Sequence, residues 1–268
     1  MRRLGFCLIF SLYFSGVNAQ PSHTSDPNTI AQAAYKQTAF KRGEVLNYRM
    51  HYGWVDAGWV KIKVENETRE VGGRKTFHFV GTGESNKTFD LFFKVRDRYE
   101  SYVDEESLTP WIFIRRVNEG GFLIHQDYIF NPSKKKVDTG NNLSYDIPEN
   151  CQDMTSAFYF ARCLNYDHAK IGEVFSINSF IDKEVFTIKI RYMGRDTIST
   201  TLGRIACIRF CPILQKGRIF KRSEDLIAWI SDDANRIPVR VQAKILVGSV
   251  KMDLQSYENL ANPLAKLK

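Results

Sequence analysis

Five histidines, His23, His51, His78, His125 and His168, are the first residues to test for chemistry. None pairs with another at a metal-ligand spacing such as H-x-H or H-E-x-x-H. His51, His78 and His125 fall on three separate alternating segments, so a shared site would need those segments to converge in space. Ser85 lies in Gly83-Glu84-Ser85-Asn86, which lacks the second glycine of a nucleophile elbow. Gly81-Thr82-Gly83 is too short to cradle a phosphate. Asp232, Asp233 and Asn235 carry the oxygens that calcium takes, but Asp and Asn are turn formers first. Glycoside hydrolysis needs two carboxyls about 5–9 Å apart. Glu84, Asp97, Glu100 and Asp104 are the nearest set, and with Arg96 and Arg98 among them surface ion pairing is the simpler account. No catalytic residue, metal or cofactor is expected.

Cysteine and aromatic side chains remain. Cys151 and Cys163 flank a helical segment and would be about 18 Å apart along it. Cys207 and Cys211 share a strand at about 13 Å. A disulfide needs Cα atoms within about 7 Å, so any bridge must join helix to strand; four buried thiols are the equal alternative. Phe89, Phe92 and Phe93 recur at helical spacing over 87–95. Phe89, Phe92 and Trp111 are the candidate ligand-binding residues, lining or lidding an apolar site, with Phe93 assigned to the core. Simple core filling is the competing account of all of them.

The elements that would position these side chains are strands. Apolar and charged residues alternate in Val60-Lys61-Ile62-Lys63-Val64-Glu65, in 186–192 and in 239–245. Period two with one wet face predicts antiparallel sheet. Gly72-Gly73, Glu119-Gly120-Gly121 and Asp232-Asp233-Ala234-Asn235 read as the turns. One helix is expected over 153–164, capped by Asp153, with Met154, Ala157, Phe158 and Ala161 on one face. Segment 87–95 is a second helical candidate, and both are expected to pack on the concave side of the sheet.

The chain also echoes itself. Gly43-Glu44-Val45 recurs as Gly172-Glu173-Val174, an offset of 129, and Gly73-Arg74 as Gly203-Arg204, an offset of 130. Phe93-Lys94 recurs as Phe220-Lys221, while Pro110 and Pro238, like Gly120 and Gly248, differ by 128. A near-constant offset is the mark of repeated units. The expected fold is mostly β: an antiparallel, curved sheet or open barrel built from two pseudo-repeated β units, with one central helix. The expected division is an export signal over 1–19, a polar arm over 20–42 and a first β unit over 43–140. A connector with the helix follows over 141–171, then a second β unit over 172–260 and a tail over 261–268.

Composition fits this outline. Of 268 residues 43% are hydrophobic and 25% charged, which excludes disordered and collagenous chains. Arg2-Arg3, the apolar stretch from Leu4 to Gly16 and the small residues of Val17-Asn18-Ala19 form a cleavable signal, too short to span a bilayer. Cleavage after Ala19 removes two arginines and no acid, so the net charge falls from +8 to +6. The basic runs 134–136 and 216–222 are the densest. The first follows Asn131-Pro132-Ser133 and reads as a solvated turn, so no nucleic-acid partner is expected. The predicted product is periplasmic or secreted, with no membrane-spanning segment after cleavage.

Phe40-Lys41-Arg42-Gly43-Glu44 with Leu46 and Tyr48, Arg96-Asp97-Arg98-Tyr99-Glu100-Ser101-Tyr102, and Phe113 with Arg115-Arg116 stand out as a set. So do Ser231 to Val239 and Val247-Gly248-Ser249-Val250. Together they resemble the domain of unknown function 3108 family, exported proteins of Gram-negative bacteria, over roughly 40–260. The resemblance implies an exported, mostly β protein and supplies no catalytic residues. The leading expectation is a non-enzymatic envelope protein that binds an apolar or lipid-like ligand. A scaffold or accessory protein for an envelope partner is the alternative, and a carboxylate-dependent hydrolase of glycan or lipid the second alternative.

Overall fold

The structure is a computed structural model and describes residues 37–213, 225–244 and 248–268. The export segment, most of the polar arm, the basic run 216–222 with Phe220, and residues 245–247 lie outside the described residues.

The first run of strands is β1 (Val45–Tyr52), β2 (Val55–Val64), β3 (Arg69–Val71), β4 (Arg74–Ser85), β5 (Val95–Asp104), β6 (Pro110–Glu119), β7 (Phe122–Asn131), β8 (Lys136–Asp138) and β9 (Ser144–Asp146). A single helical turn, α1 (Lys87–Asp90), joins β4 to β5. Helix α2 (Met154–Cys163) then leads to β10 (Val174–Ile181), β11 (Glu184–Thr200), β12 (Gly203–Pro212), β13 (Leu226–Ser231), β14 (Pro238–Lys244), β15 (Ser249–Glu258) and β16 (Lys266–Leu267). The alternation read in the sequence sets the faces. In β5, Val95, Asp97, Tyr99, Ser101 and Val103 are buried, while Arg96 and Arg98 between them are exposed.

One antiparallel sheet holds the strands in the order β10-β11-β12-β13-β14-β15-β1-β2-β4-β5-β6-β7-β8-β9, with β3 added to β4 and β16 to β12. The six-strand meander β10 to β15 therefore lies beside a second, in which β1, β2, β4, β5, β6 and β7 repeat the same order and the short β8 and β9 extend it. They join where β1 pairs with β15, from Val45 opposite Glu258 to Tyr52 opposite Val250.

Local chemistry repeats as well. Gly43 and Gly172 both take positive φ, which glycine adopts without steric cost. Their N–H groups donate to Val64 O and Tyr192 O at 2.9 Å each, and the carbonyls of Glu44 and Glu173 accept from Val64 N and Tyr192 N in return. β5 slips register against β6 between Tyr102 and Val103, and β13 slips against β14 between Trp229 and Ile230. Such bulges bend a strand and raise its twist. An acidic turn follows each bulge. Asp104 Oδ1 accepts from the N–H of Glu106 and Ser107, and Asp233 Oδ1 from that of Asn235. A left-handed residue, Leu108 or Arg236, precedes by two the proline that opens the next strand.

The sheet curls without closing. Phe180 of β10 meets Tyr128 and Phe130 of β7 and Tyr145 of β9, with ring centroids 5.6, 6.4 and 5.5 Å apart, so the two ends of the sheet face each other. Gln152 covers the free edge of β10, its N–H donating to Asn178 O and its carbonyl accepting from Phe180 N. Helix α2 lies within the curl against β4, β5 and β10.

The segment 87–95 corrects its sequence reading. Only Lys87–Asp90 is helical, held by Asn86, whose side chain accepts from Phe89 N at 2.7 Å, and Val95 already opens β5. One capped turn cannot propagate across so short a connection between two long strands. It sits at the end of the sheet, not on its concave side.

Candidate functional site

Helix α2 organises the interior. Asp153 caps it: Oδ1 accepts from Thr155 N (2.7 Å) and Ser156 N (2.8 Å), and Asp153 N donates to Ser156 Oγ at 2.8 Å. Ser101 Oγ of β5 donates to Asp153 Oδ2 at 2.5 Å and ties the helix start to the sheet. Burial pushes the Asp153 carboxyl up to about 6, against the pull of these bonds.

One side of α2 is tightly packed. Tyr159 stacks on Phe79 of β4 at 3.7 Å between centroids, and Phe40 meets Tyr159 edge-on at 4.9 Å. Arg162 is buried beside them. Its Nη1 and Nη2 donate to the two carboxylate oxygens of Glu44 at 2.7 and 2.8 Å, Nη2 also to Ala39 O, and Nε to Asn235 O. A buried ion pair is tolerated when its remaining hydrogen bonds are met in this way.

The other side of α2 is not filled. Between it and the concave face of β10 to β14 lies a cavity of about 240 Å³. The helix face read from the sequence, Met154, Ala157, Phe158 and Ala161, forms one wall. Ile188 and Ile190 of β11, Phe210 of β12, Leu226 and Ala228 of β13 and Val241 of β14 belong to the opposite wall. Phe158, Ala161, Ile188, Ile190, Ala228 and Ile230 are only half-buried although they point inward. The short side chains of Ala157, Ala161 and Ala228 leave the room. The charged members of the lining are Arg162 and Arg236, and no carboxylate belongs to it. Arg236 lies over the Tyr166 ring at 5.1 Å and donates to Asp167 Oδ1 at 2.7 Å. Such a lining, apolar with few polar groups, suits an apolar ligand.

The residues singled out by sequence fall elsewhere. Phe92 is 83% exposed at the sheet end, Phe89 is half-buried beside it, and Trp111 packs over the turn at Gly72. None of the three lines the cavity. Phe93 packs against Gly120. Cys151, Cys163, Cys207 and Cys211 are buried thiols, and burial pushes the thiols of Cys151, Cys163 and Cys207 up to about 12. His51 and His78 are bound to different acids, Nε2 to Asp253 Oδ2 at 2.9 Å and Nε2 to Glu100 Oε2 at 2.7 Å. Among the described residues no three His, Cys, Asp or Glu side chains gather as a metal-binding group. Asp97 and Glu100 lie three apart on β5 and so point to opposite faces, while Asp104 is paired with Arg74. Asp232 pairs with Arg195, and Asp233 is engaged by its own turn and by Ala265 N.

Fold and cavity together define a mostly β, single-sheet, barrel-like protein with helix α2 inside the curl. The chain belongs to the family described as Protein of unknown function (DUF3108), which matches residues 47–255. Its fold is similar to that of a β-barrel-like protein of the domain of unknown function DUF1849 from Brucella abortus. That similarity has a TM-score of 0.52 and 9% identity, covering 81% of this chain and 97% of that one. A candidate lipoprotein from Parabacteroides distasonis is similar at a TM-score of 0.38 and 11% identity, over 83% of this chain and 100% of that one. A comparison with curated proteins matched none of them. Among the described residues no helix is long and apolar enough to cross a membrane.

Proposed function

We propose that this is an exported protein that binds an apolar, lipid-like ligand between α2 and the second β unit. One observation carries the reading: one side of α2 is packed on Phe79 and Phe40, while its other side leaves a cavity lined mostly by strands of the second unit. The repeat supports units over 43–140 and 172–260, and the basic, apolar and small-residue pattern of 1–19 supports export with cleavage after Ala19. N-terminal sequencing of the exported protein should begin at Gln20.

The test of binding is a titration with the neutral fluorophore 1-N-phenylnaphthylamine. Its emission should rise saturably with the native protein. Ala161→Phe, which fills the cavity from the helix side, should abolish the rise while leaving the circular dichroism unchanged. An equal response from both proteins would count against the reading.

A second reading, an accessory protein that meets an envelope partner, rests on one end of the sheet. Pairing in β1, β2, β4, β5, β6 and β7 brings the 52–55 turn, the α1 connection and the 120–121 turn to that end. Trp54, Leu91, Phe92 and Leu123 there are exposed. Clusters of this kind mark contact surfaces in soluble proteins. Replacing Trp54 and Phe92 together with serine should weaken any such contact and leave fluorophore binding unchanged.

A further inference from the structure

We infer that the cavity takes a single-chain amphiphile with an anionic head, carboxylate or phosphate, and that Arg236 receives the head. The inference rests on the proposed binding of an apolar ligand and adds its polar end. The cavity has a direction. Met154 and Ile181 lie toward one end of α2, and Arg162 and Arg236 toward the other, about 12 Å away along the helix axis. Between them the lining is aliphatic and aromatic.

The two cations differ in what they can still do. Arg162 is fully enclosed, and Glu44 neutralises it through two hydrogen bonds. Arg236 meets a weaker partner. Asp167 is 65% exposed, and an ion pair with so solvated a carboxylate contributes little to stability. A ligand head that displaced Asp167 would therefore lose little and gain a less solvated contact. The Arg236 guanidinium presents a planar fork of donors that matches carboxylate and phosphate oxygens. It stands over Tyr166, whose hydroxyl donates to Ala161 O at 2.7 Å, so the platform beneath it is fixed to the end of α2. No carboxylate belongs to the lining, and Asp167, which competes for Arg236 from outside it, is solvated, while a cationic head would meet two arginines.

The experiment is calorimetric titration of the full protein with decanoate and with decanol, which share a tail and differ in charge. Native protein should bind decanoate about tenfold more tightly than decanol. Arg236→Gln should lower decanoate affinity to that of decanol and leave decanol affinity unchanged. Asp167→Asn, which removes the competing carboxylate, should tighten decanoate binding. Equal affinity of the native protein for the two ligands would overturn the role of Arg236 while sustaining the cavity. Failure of both to bind would overturn the cavity reading and this inference with it. A preference for decanoate that survives in Arg236→Gln would place the anion elsewhere and also overturn it.

Discussion

Glu44 and Arg162 stand 118 residues apart in the chain and form the most enclosed ion pair among the described residues. Glu44→Gln should destabilise the protein by about 3–5 kcal/mol, because it leaves the guanidinium buried without its counter-charge. The double variant Glu44→Gln with Arg162→Met should recover most of that loss, as chemical denaturation of the three proteins would show. Asp153 gives a pH signature of definite sign. Its folded carboxyl titrates at about 6 against an ordinary value of 3.8, so the folded state holds the proton more tightly. The contribution is fully present below pH 3.8 and is lost as pH rises through 6. Asn also caps helices, so Asp153→Asn should keep the helix and lose the titration. The stability of the native protein minus that of Asp153→Asn should fall between pH 4 and 7 by up to about 3 kcal/mol. A flat difference would contradict the buried setting of this carboxyl. Neither feature could be read from the sequence. Glu44 stood out only in the repeated Gly43-Glu44-Val45 and the family motif, and nothing marked Arg162, because a long-range partner leaves no local pattern.

At the scale of elements, strands and turns were legible because they depend on neighbours two and three residues away. Val60 to Val64 alternates in the sequence and in the sheet, and Gly120-Gly121 turns the chain between β6 and β7. Asp153 was legible as a cap for the same reason. Segment 87–95 was misread because Phe89, Phe92 and Phe93 mimic an amphipathic face, whereas their positions follow from the strands on either side. A paired substitution separates the two accounts. Phe79→Ala, in the stack under α2, should cost about 3–5 kcal/mol. Phe92→Ala should change stability by no more than about 0.5 kcal/mol, as exposed positions do. Thermal unfolding of both variants decides it, and a large loss at Phe92 would mean that the α1 connection is packed in solution.

At the scale of the whole molecule, the described residues form two copies of one meander around helix α2, and the proposed function rests on that mismatch. The repeat was visible as a near-constant offset and returns as matched bulges, turns and glycines. What the offset could not reveal is which unit the helix fills. Both units offer apolar inner faces; Tyr159 and Phe160 lie on the packed side of α2, while Ala157 and Ala161 leave room beside Phe158 on the other. The alanines were the available signal, since small residues on the apolar face of a lone helix mark space as readily as close packing. The most direct measurement is a crystal structure of the protein grown with bromodecanol, in which the anomalous signal locates the bromine. With bromine at the end of the chain remote from the hydroxyl, the account predicts a single bromine inside the cavity, toward Met154 and Ile181. Bromine on the outer surface alone, with Ile188 and Ala161 packed against each other, would contradict it.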